Sequence, residues 1–321
     1  MAVVEAHDLH RTYRTSTGTL RRKWKDVEAV RGVSFAIEQG ELFGLLGPNG
    51  AGKTTTIKML ITLLIPTKGT ASVLGYDVVK DAREVRKRIG YVFGGDRGVY
   101  ERLSGLDNLR YFAELYGVEP RRQRARIFEL LALVGLDGRE RERVEGYSRG
   151  MRQRLHIARG LLHDPPVVFL DEPTIGVDPV GARQLRALIA SLTEGGKTVL
   201  LTTHYMFEAD SLCDRIAVIA NGEIVAEGTP RQLKAGVEHG GVVEIEAFGI
   251  DQGSLARVEA LDGVLAVTVE EQETKQLLIV QTAPGTELTH VVLAQLQGVA
   301  LGRVSSREPT LEDAYVQLVT A

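Results

Sequence analysis

The sequence that decides the fold is an octapeptide, Gly47-Pro48-Asn49-Gly50-Ala51-Gly52-Lys53-Thr54. It matches the pattern Gly-x-x-x-x-Gly-Lys-Ser/Thr at every fixed position. The apolar run 42–46 enters the octapeptide, and the helix-like stretch 55–64 leaves it. Glycines let a main chain turn tightly and bring its amides close to phosphate oxygens, and the following helix directs the positive end of its dipole to the same place. The sequence therefore predicts a strand–loop–helix unit that binds phosphate.

Two side chains of this octapeptide, which we call the phosphate loop, have predicted roles in binding a nucleotide. Lys53 supplies a point charge for the outer phosphates, and the hydroxyl of Thr54 can ligate magnesium. We expect the nucleotide to be contacted by Gly47, Pro48, Asn49, Gly50, Ala51, Gly52, Lys53, Thr54 and Thr55.

Two carboxylates follow a second buried strand. The apolar run 167–170 ends in Asp171 and Glu172, at the carboxyl end of the strand, where open α/β sheets place their ligands. Asp171 is placed to hold magnesium, and Glu172 could polarise a water as general base. Alone, this pattern could also be an ordinary helix cap; beside the phosphate loop we interpret it as catalytic.

Two further features depend on this context. His204 directly follows the apolar run 199–203 and could hydrogen-bond the transferring phosphate and orient the water, although a lone His often only ends a strand.

In residues 147–151, which we call the signature segment, Ser148 can cap a helix and Gly150 allows close approach of the backbone. The free amides would form a second anion site, although by itself the segment is only a helix start.

These four features, in this order, resemble the nucleotide-binding subunit of an ABC transporter over about residues 1–230. The phosphate loop is similar to the Walker A motif of that family, and 167–172 to Walker B with its catalytic Glu. His204 is similar to the switch histidine. The signature segment stands where the family has Leu-Ser-Gly-Gly-Gln; Ser148 and Gly150 are retained, and the other three residues differ.

The resemblance implies roles for two more residues. Residues 175–178 are similar to the D-loop of the family, with Asp178 in the position of its Asp. Tyr13 is placed like the aromatic residue that stacks on adenine, and plain core packing of Tyr13 is the alternative.

The resemblance also implies a mechanism and partners. ATP and Mg²⁺ would bind between the Walker A motif of one chain and the signature segment of a second copy, and the full set of catalytic residues favours a homodimer. Hydrolysis would drive a separate membrane permease, with this chain on the cytoplasmic face of the membrane. The segment 308–315 resembles the ending of drug- and antibiotic-type exporter ATPases. An importer ATPase is the runner-up, and a permease-free ABC ATPase is less favoured because the chain has one cassette, one Cys and no sustained heptads.

Composition limits the other classes of function. The chain has 321 residues, which suits two domains, and its formal net charge of −3 gives no reason to propose a nucleic-acid partner. No run approaches the roughly 18 apolar residues of a membrane-spanning helix. The single cysteine, Cys213, cannot form an internal disulfide, which favours a reducing compartment.

Strand-like and helical stretches alternate up to about residue 228, which predicts an α/β fold: a P-loop NTPase of the ABC type with a mixed sheet. We expect this domain to span 1–235, with a helical subdomain at about 95–165. Beyond it, 236–321 has the order βαββαβ plus a helix, which suggests a small ferredoxin-like α+β domain. The polar, basic segment 14–26 predicts an extended hairpin or loop.

One position departs from the family pattern. After 89–93 the family usually has a Gln that reaches the magnesium and the attacking water, and here Gly94 stands in its place. A main-chain carbonyl or a water could fill the gap, or Asp96 could reach in with its charge offset by magnesium or Arg97. Alternatively, the loop is mainly a flexible docking surface for the permease, and its glycines serve movement.

Overall fold

We describe the chain from a computed structural model, for residues 1–17, 23–94, 98–235, 241–272, 274–283, 286 and 288–320. They divide into two compact units, Met1–Pro230 and Arg231–Ala321.

The first unit combines strands and helices in alternation. Its strands are β1 (Ala2–Thr17), β2 (Lys23–Glu38), β3 (Leu42–Leu46), β4 (Lys68–Val73), β5 (Tyr76–Asp77), β6 (Ile89–Phe93), β7 (Val167–Asp171), β8 (Thr198–Thr203), β9 (Arg215–Ala220) and β10 (Glu223–Gly228). Its helices are α1 (Lys53–Leu60), α2 (Ala82–Arg88), α3 (Gly105–Leu115), α4 (Pro120–Leu133), α5 (Arg149–Gly160), α6 (Pro179–Glu194) and α7 (Met206–Leu212). A helix α8 (Pro230–Ala235) follows at the boundary of the two units.

The central sheet has six strands in the order β10-β9-β3-β8-β7-β6. The strands from β9 to β6 are parallel, and β10 is antiparallel to β9. Every residue of β3, β7 and β8 is buried, which explains their near-continuous apolar sequences, because a parallel sheet is covered on both faces. The predicted α/β fold with a mixed sheet is confirmed.

A second, antiparallel sheet has the order β2-β1-β4-β5 and packs on α1. Its apolar side chains share one core with β3 and α1, and the rings of Phe35 and Phe43 stack with centroids 5.2 Å apart. The pairing of β1 with β2 runs from Ala2↔Glu38 to Thr17↔Lys23. Within the predicted basic segment 14–26, the described residues are therefore an extended hairpin, and 18–22 lie outside them.

The chain between β6 and β7 forms α3, α4 and α5. Helix α5 packs directly on β6, because a Cβ atom on Gly90 would lie 2.5 Å from the carbonyl oxygen of Gly160. Glycine at position 90 thus allows the end of α5 to lie close to the central sheet.

The second unit is a four-stranded antiparallel sheet with helices. Its elements are β11 (Gly241–Phe248), α9 (Gln252–Glu259), β12 (Val264–Glu271), β13 (Gln276–Thr282), α10 (Thr289–Gln295), β14 (Ala300–Arg307) and α11 (Leu311–Thr320). The strand order is β12-β13-β11-β14, and every pairing is antiparallel. Apolar side chains of β11 and β13 pack with those of α9 and α10, including Ile245, Val258, Leu278 and Val292.

The exporter-like segment 308–315 forms the start of α11. The Thr310 amide donates to the Asp313 carboxylate at 2.7 Å, and the Asp313 amide donates to the Thr310 hydroxyl at 3.3 Å, which is a reciprocal capping arrangement. Arg307 donates to both carboxylate oxygens of Asp313, at 2.6 and 3.2 Å, and to Glu244 at 2.6 Å. Burial raises the pKa of Asp313, but the bonds from Arg307 and Thr310 outweigh it and hold that pKa below the usual value.

We expect Asp313→Asn to lower the free energy of unfolding of the second unit by about 2 kcal/mol at neutral pH, because Arg307 keeps its charge and loses one of its two carboxylate partners. Because the folded-state pKa of Asp313 is lowered, its contribution is present above the unfolded value of about 3.9 and is lost as the pH falls through the folded-state value. Hydrogen exchange of the α11 amides measures the effect, with the exposed Asp262→Asn as control. Equal exchange rates in the two variants would contradict it.

Candidate functional site

The functional residues meet where three parallel strands end. Leu46 of β3 pairs in register with Thr203 of β8, and Asp171 of β7 pairs with Thr202. The phosphate loop, the two carboxylates and His204 therefore follow adjacent strands at one edge of the sheet, as the sequence predicts.

The glycines of the phosphate loop are required by its geometry. Gly50 and Gly52 have φ values of 84° and 110°, in the left-handed region. A Cβ atom on Gly52 would lie 2.6 Å from the carbonyl oxygen of Ala29, and one on Gly47 would lie 2.2 Å from that of Ile219. The loop is thus seated against the main chain of β2 and β9.

Lys53 folds back over its own loop. Its ammonium donates to the carbonyl oxygens of Gly47 at 2.7 Å and Pro48 at 3.1 Å, and lies 3.3 Å from Oε1 of Glu172. Only 4% of Lys53 is exposed. Beside it lies a cavity of 130 Å³ lined by Ala29, Asn49, Gly50, Gly52, Lys53, Thr54, Thr55 and Glu172.

Asp171 and Thr54 supply oxygen atoms at the same edge. The hydroxyls of Thr54 and Thr202 donate to Oδ1 of Asp171 at 3.1 and 2.6 Å. Burial raises the pKa of Asp171, and these two hydrogen bonds oppose the rise without cancelling it. A buried carboxylate with no full countercharge, next to a hydroxyl, suits a hard divalent cation. In the described part of the chain no group of three His, Cys, Asp or Glu side chains could hold a metal.

Glu172 connects Lys53 with His204. Its Oε1 faces Lys53, and its Oε2 lies 3.3 Å from Nδ1 of His204. The φ of Glu172 is 49°, a strained value for a residue with a side chain, and such strain is concentrated at functional sites. Its amide donates to the Thr202 carbonyl and lies at hydrogen-bonding distance from the Thr202 hydroxyl, both at 3.1 Å, which holds the strained residue in place.

Thr202 is therefore a functional residue that the sequence analysis missed. It contacts Asp171 through its side chain and Glu172 through both its main chain and its side chain. The available signal was the pair of threonines, Thr202 and Thr203, that ends the run 199–203 on a strand that is buried throughout.

The signature segment begins α5 as predicted. The Ser148 hydroxyl accepts from the amide of Met151 at 3.2 Å. A Cβ atom on Gly150 would lie 3.3 Å from Val177, so the helix start packs on the D-loop, 175–178. Asp178 caps α6 by accepting from the amides of Val180 and Gly181 at 3.1 and 2.9 Å.

Two of the three departures of the signature segment from the family pattern, Tyr147 and Arg149, have structural partners. Tyr147 is buried, and its hydroxyl donates to the carbonyl oxygen of Arg139 at 2.7 Å. Burial raises its pKa. The guanidinium of Arg149 lies against Gly176, where a Cβ atom would be only 2.1 Å from Nη1. Ser148, Gly150 and Asp178 thus form one group, and Lys53, Asp171, Glu172 and His204 form another.

Tyr13 lies on β1, paired with Val27 of β2. The ring is half-buried, and the guanidinium of Arg11 lies 4.9 Å from its centroid. The stacking of Tyr13 on adenine stays a prediction.

Gly94 follows β6, whose last residue, Phe93, pairs with Asp171. A Cβ atom on Gly94 would lie 2.7 Å from the carbonyl oxygens of both Asp171 and Glu172. A residue with a side chain does not fit here on this backbone, so close packing accounts for the glycine at this position. The alternative that relies on Asp96 and Arg97 concerns residues outside the described ranges.

Comparisons with known proteins agree with this geometry. The ABC transporter family profile matches residues 30–175. A daunorubicin resistance ATP-binding protein of Streptomyces coeruleorubidus is 41% identical over 299 residues, covering 92% of this chain and 93% of that protein. A linearmycin resistance ATP-binding protein of Bacillus subtilis is 35% identical over 291 residues, covering 90% of this chain and 93% of that protein.

Solved structures include a dimeric post-hydrolysis state of an ATP-binding cassette bound to ADP and Pi. Its sequence is 27% identical to this chain, and the two structures superpose with a TM-score of 0.62. The match covers 70% of this chain and 98% of the related one. An ATP-binding subunit of an ABC transporter has 29% identity and a TM-score of 0.61, and covers 73% of this chain and 92% of that one.

We expect Gly94→Ala to slow ATP hydrolysis by about 10-fold or more, because the added methyl group displaces the carbonyls of Asp171 and Glu172 and misaligns the catalytic carboxylate. Steady-state phosphate release measures the effect. Gly146→Ala is the matched control, since a Cβ atom there meets no atom within 4 Å. Equal rates for the two variants would show that the close contact at Gly94 is not needed for the site.

Proposed function

Because this chain belongs to the ABC transporter family, we propose that it is the ATP-hydrolysing subunit that energises a separate membrane permease, and that the complex exports a drug-like or other small molecule. The observation that carries the proposal is the contact of Glu172 with both Lys53 and His204, beside Thr54 and Asp171. Drug resistance and fluoroquinolone export in the names of relatives support the direction of transport.

ATP would bind with its phosphates in the phosphate loop, where the start of α1 and the main-chain amides favour anions. Lys53 would then exchange its contact with Glu172 for the outer phosphates, since a phosphate carries more negative charge than one carboxylate.

Magnesium fits the oxygen atoms of Thr54 and Asp171, which lie 3.1 Å apart beside the cavity. When bound, the ion neutralises negative charge on the phosphates. Thr202 holds the Asp171 carboxylate in position for it.

Hydrolysis would use Glu172 as the general base that takes a proton from the attacking water. His204 contacts the second oxygen of the same carboxylate, which orients Glu172, and its ring can hydrogen-bond the transferring phosphoryl group. Lys53 offsets the charge of the outer phosphates. The strained backbone at Glu172, fixed by Thr202, directs the carboxylate toward the cavity.

A second copy of the chain would complete each site. Ser148 and the amides at the start of α5 make an anion site that packs on the D-loop, and a head-to-tail pair would bring it to the phosphates held by the partner. The dimeric form of the related cassette supports this arrangement. One chain carries both halves, so two equivalent sites suit a homodimer.

The permease would bind an aromatic and leucine-rich patch formed by Tyr100 and α3. Tyr100, Tyr111 and Leu115 are 49%, 47% and 64% exposed, and the rings of Tyr100 and Tyr111 lie 5.1 Å apart. Such a patch indicates a binding surface, and it adjoins the segment after β6 that contacts the catalytic carboxylates. No helix in the described ranges is long and apolar enough to cross a membrane. We propose that binding of the aromatic and leucine-rich patch to the permease holds the chain on the cytoplasmic face of the membrane.

We assign the ATPase to 1–235, with the helical subdomain at about 95–165, and an accessory role to 236–321.

We expect Glu172→Gln to reduce ATP turnover by roughly 10²-fold or more while ATP still binds, because the amide cannot accept the proton of the water. Turnover and ATP affinity are measured on the same preparations. Glu223→Gln, an exposed position on β10, makes the same chemical change away from the site. Wild-type turnover of Glu172→Gln would remove Glu172 from the mechanism.

We expect Leu115→Glu to weaken binding to the permease by roughly 10-fold or more, since it puts a charge in the apolar patch, and to leave the ATPase of the isolated chain unchanged. Co-purification with the permease and ATPase with and without it give the two readouts. Leu133→Glu, at an exposed leucine of α4, is the matched control. If both variants bind the permease like wild type, the patch is not its docking surface.

A further inference from the structure

We propose that Gln153 and Arg159 are positioning residues for the reaction: they hold the main chain at Phe93 and at Gly98 on α5 and so fix the signature segment relative to the catalytic carboxylates. The proposal rests on the proposed ATP hydrolysis and adds to it a connection made by the main chain.

The first contact is at the end of β6. The side-chain amide of Gln153 donates to the carbonyl oxygen of Phe93 at 3.2 Å, and only 3% of Gln153 is exposed. Phe93 is paired with Asp171 in the parallel sheet. A buried amide therefore connects α5 with the strand beside the magnesium-binding carboxylate.

The second contact is at Gly98. Arg159 donates from Nη1 to the carbonyl oxygen of Gly98, and its guanidinium lies 4.9 Å from the centroid of Phe112. Arg159 is only 7% exposed, and its Nε makes no hydrogen bond within the described residues. Burying a guanidinium without a carboxylate partner costs free energy. Because the buried Arg159 donates to the Gly98 carbonyl despite this cost, we infer that the position of Gly98 matters.

The glycines stand at these contact points. Gly94 lies against the carbonyls of Asp171 and Glu172, as described above. A Cβ atom on Gly98, whose φ is 115°, would lie 2.5 Å from Nη1 of Arg159. At both positions glycine allows neighbouring atoms to approach the main chain closely. This role differs from giving the loop flexibility.

The consequence is a chain of direct contacts between two parts of the site. Ser148 caps the start of α5, Gln153 follows on the same helix, and Phe93 and Gly94 connect it with Asp171 and Glu172. Packed protein is only slightly compressible. A displacement of the start of α5 would thus shift the main chain at Phe93 and Gly94, which lies against Glu172. This connection does not need a glutamine side chain at position 94.

The test is Gln153→Leu, which removes the donor at nearly constant size. We expect kcat for ATP to fall by about 10-fold or more, because the catalytic carboxylate loses alignment, while KM for ATP stays within about 2-fold, because the phosphate loop is untouched. The matched control is Gln123→Leu on α4, whose amide makes the same type of bond to the carbonyl oxygen of Val118 at 2.9 Å. A purely structural role would not separate kcat from KM.

Arg159 gives a second, independent pair of variants in case Gln153→Leu fails to fold. Arg159→Leu should lower kcat, and Arg159→Lys, which keeps a donor for Gly98, should recover part of the loss. Equal kcat values for Gln153→Leu and Gln123→Leu, or for Arg159→Leu and wild type, would overturn the proposal. Measured in parallel, Glu172→Gln separates the two claims: if it abolishes hydrolysis while the Gln153 and Arg159 variants have no effect, only the positioning proposal fails.

Discussion

The parallel register of β3, β8 and β7 is the constraint on which the rest of the site depends. It places Leu46 beside Thr203 and Thr202 beside Asp171, so three segments far apart in sequence end at one edge. Full burial of these strands makes the register hard to change, because a slip would move polar residues of one edge into the core. The contacts of Glu172 with Lys53 and His204 follow from this register.

The candidate site residues could be predicted because each of them belongs to a recognisable local pattern of the sequence. The phosphate loop needs glycines, a lysine and a threonine at fixed spacing, and buried parallel strands are recognisable from their apolar runs. Thr202 could not be assigned in this way, because its hydrogen bond to Asp171 spans 31 positions and depends on the strand order. The reason for glycine at position 94 is likewise a contact with another strand, which no local pattern contains.

The departures from the family pattern are explained by packing of the same kind. Tyr147 uses its hydroxyl to bond the main chain at Arg139, and Arg149 covers a glycine of the D-loop. The exporter-like segment 308–315 caps the start of α11, and Arg307 and Asp313 stabilise this cap. These contacts surround the candidate site and lie outside the group formed by Lys53, Asp171, Glu172 and His204.

The most direct test of the head-to-tail ATP site is a cross-link between the phosphate loop of one chain and the signature segment of another. Cys213 is the only cysteine, and it is buried with a raised pKa, so introduced cysteines can be labelled selectively. Asn49→Cys and Arg149→Cys, both at exposed positions, would be made in separate chains that also carry Glu172→Gln, mixed, and treated with a short bis-maleimide. We expect a covalent dimer only in the mixture and only with ATP and Mg²⁺. Covalent dimers from either variant alone, or their formation without ATP, would contradict the head-to-tail site.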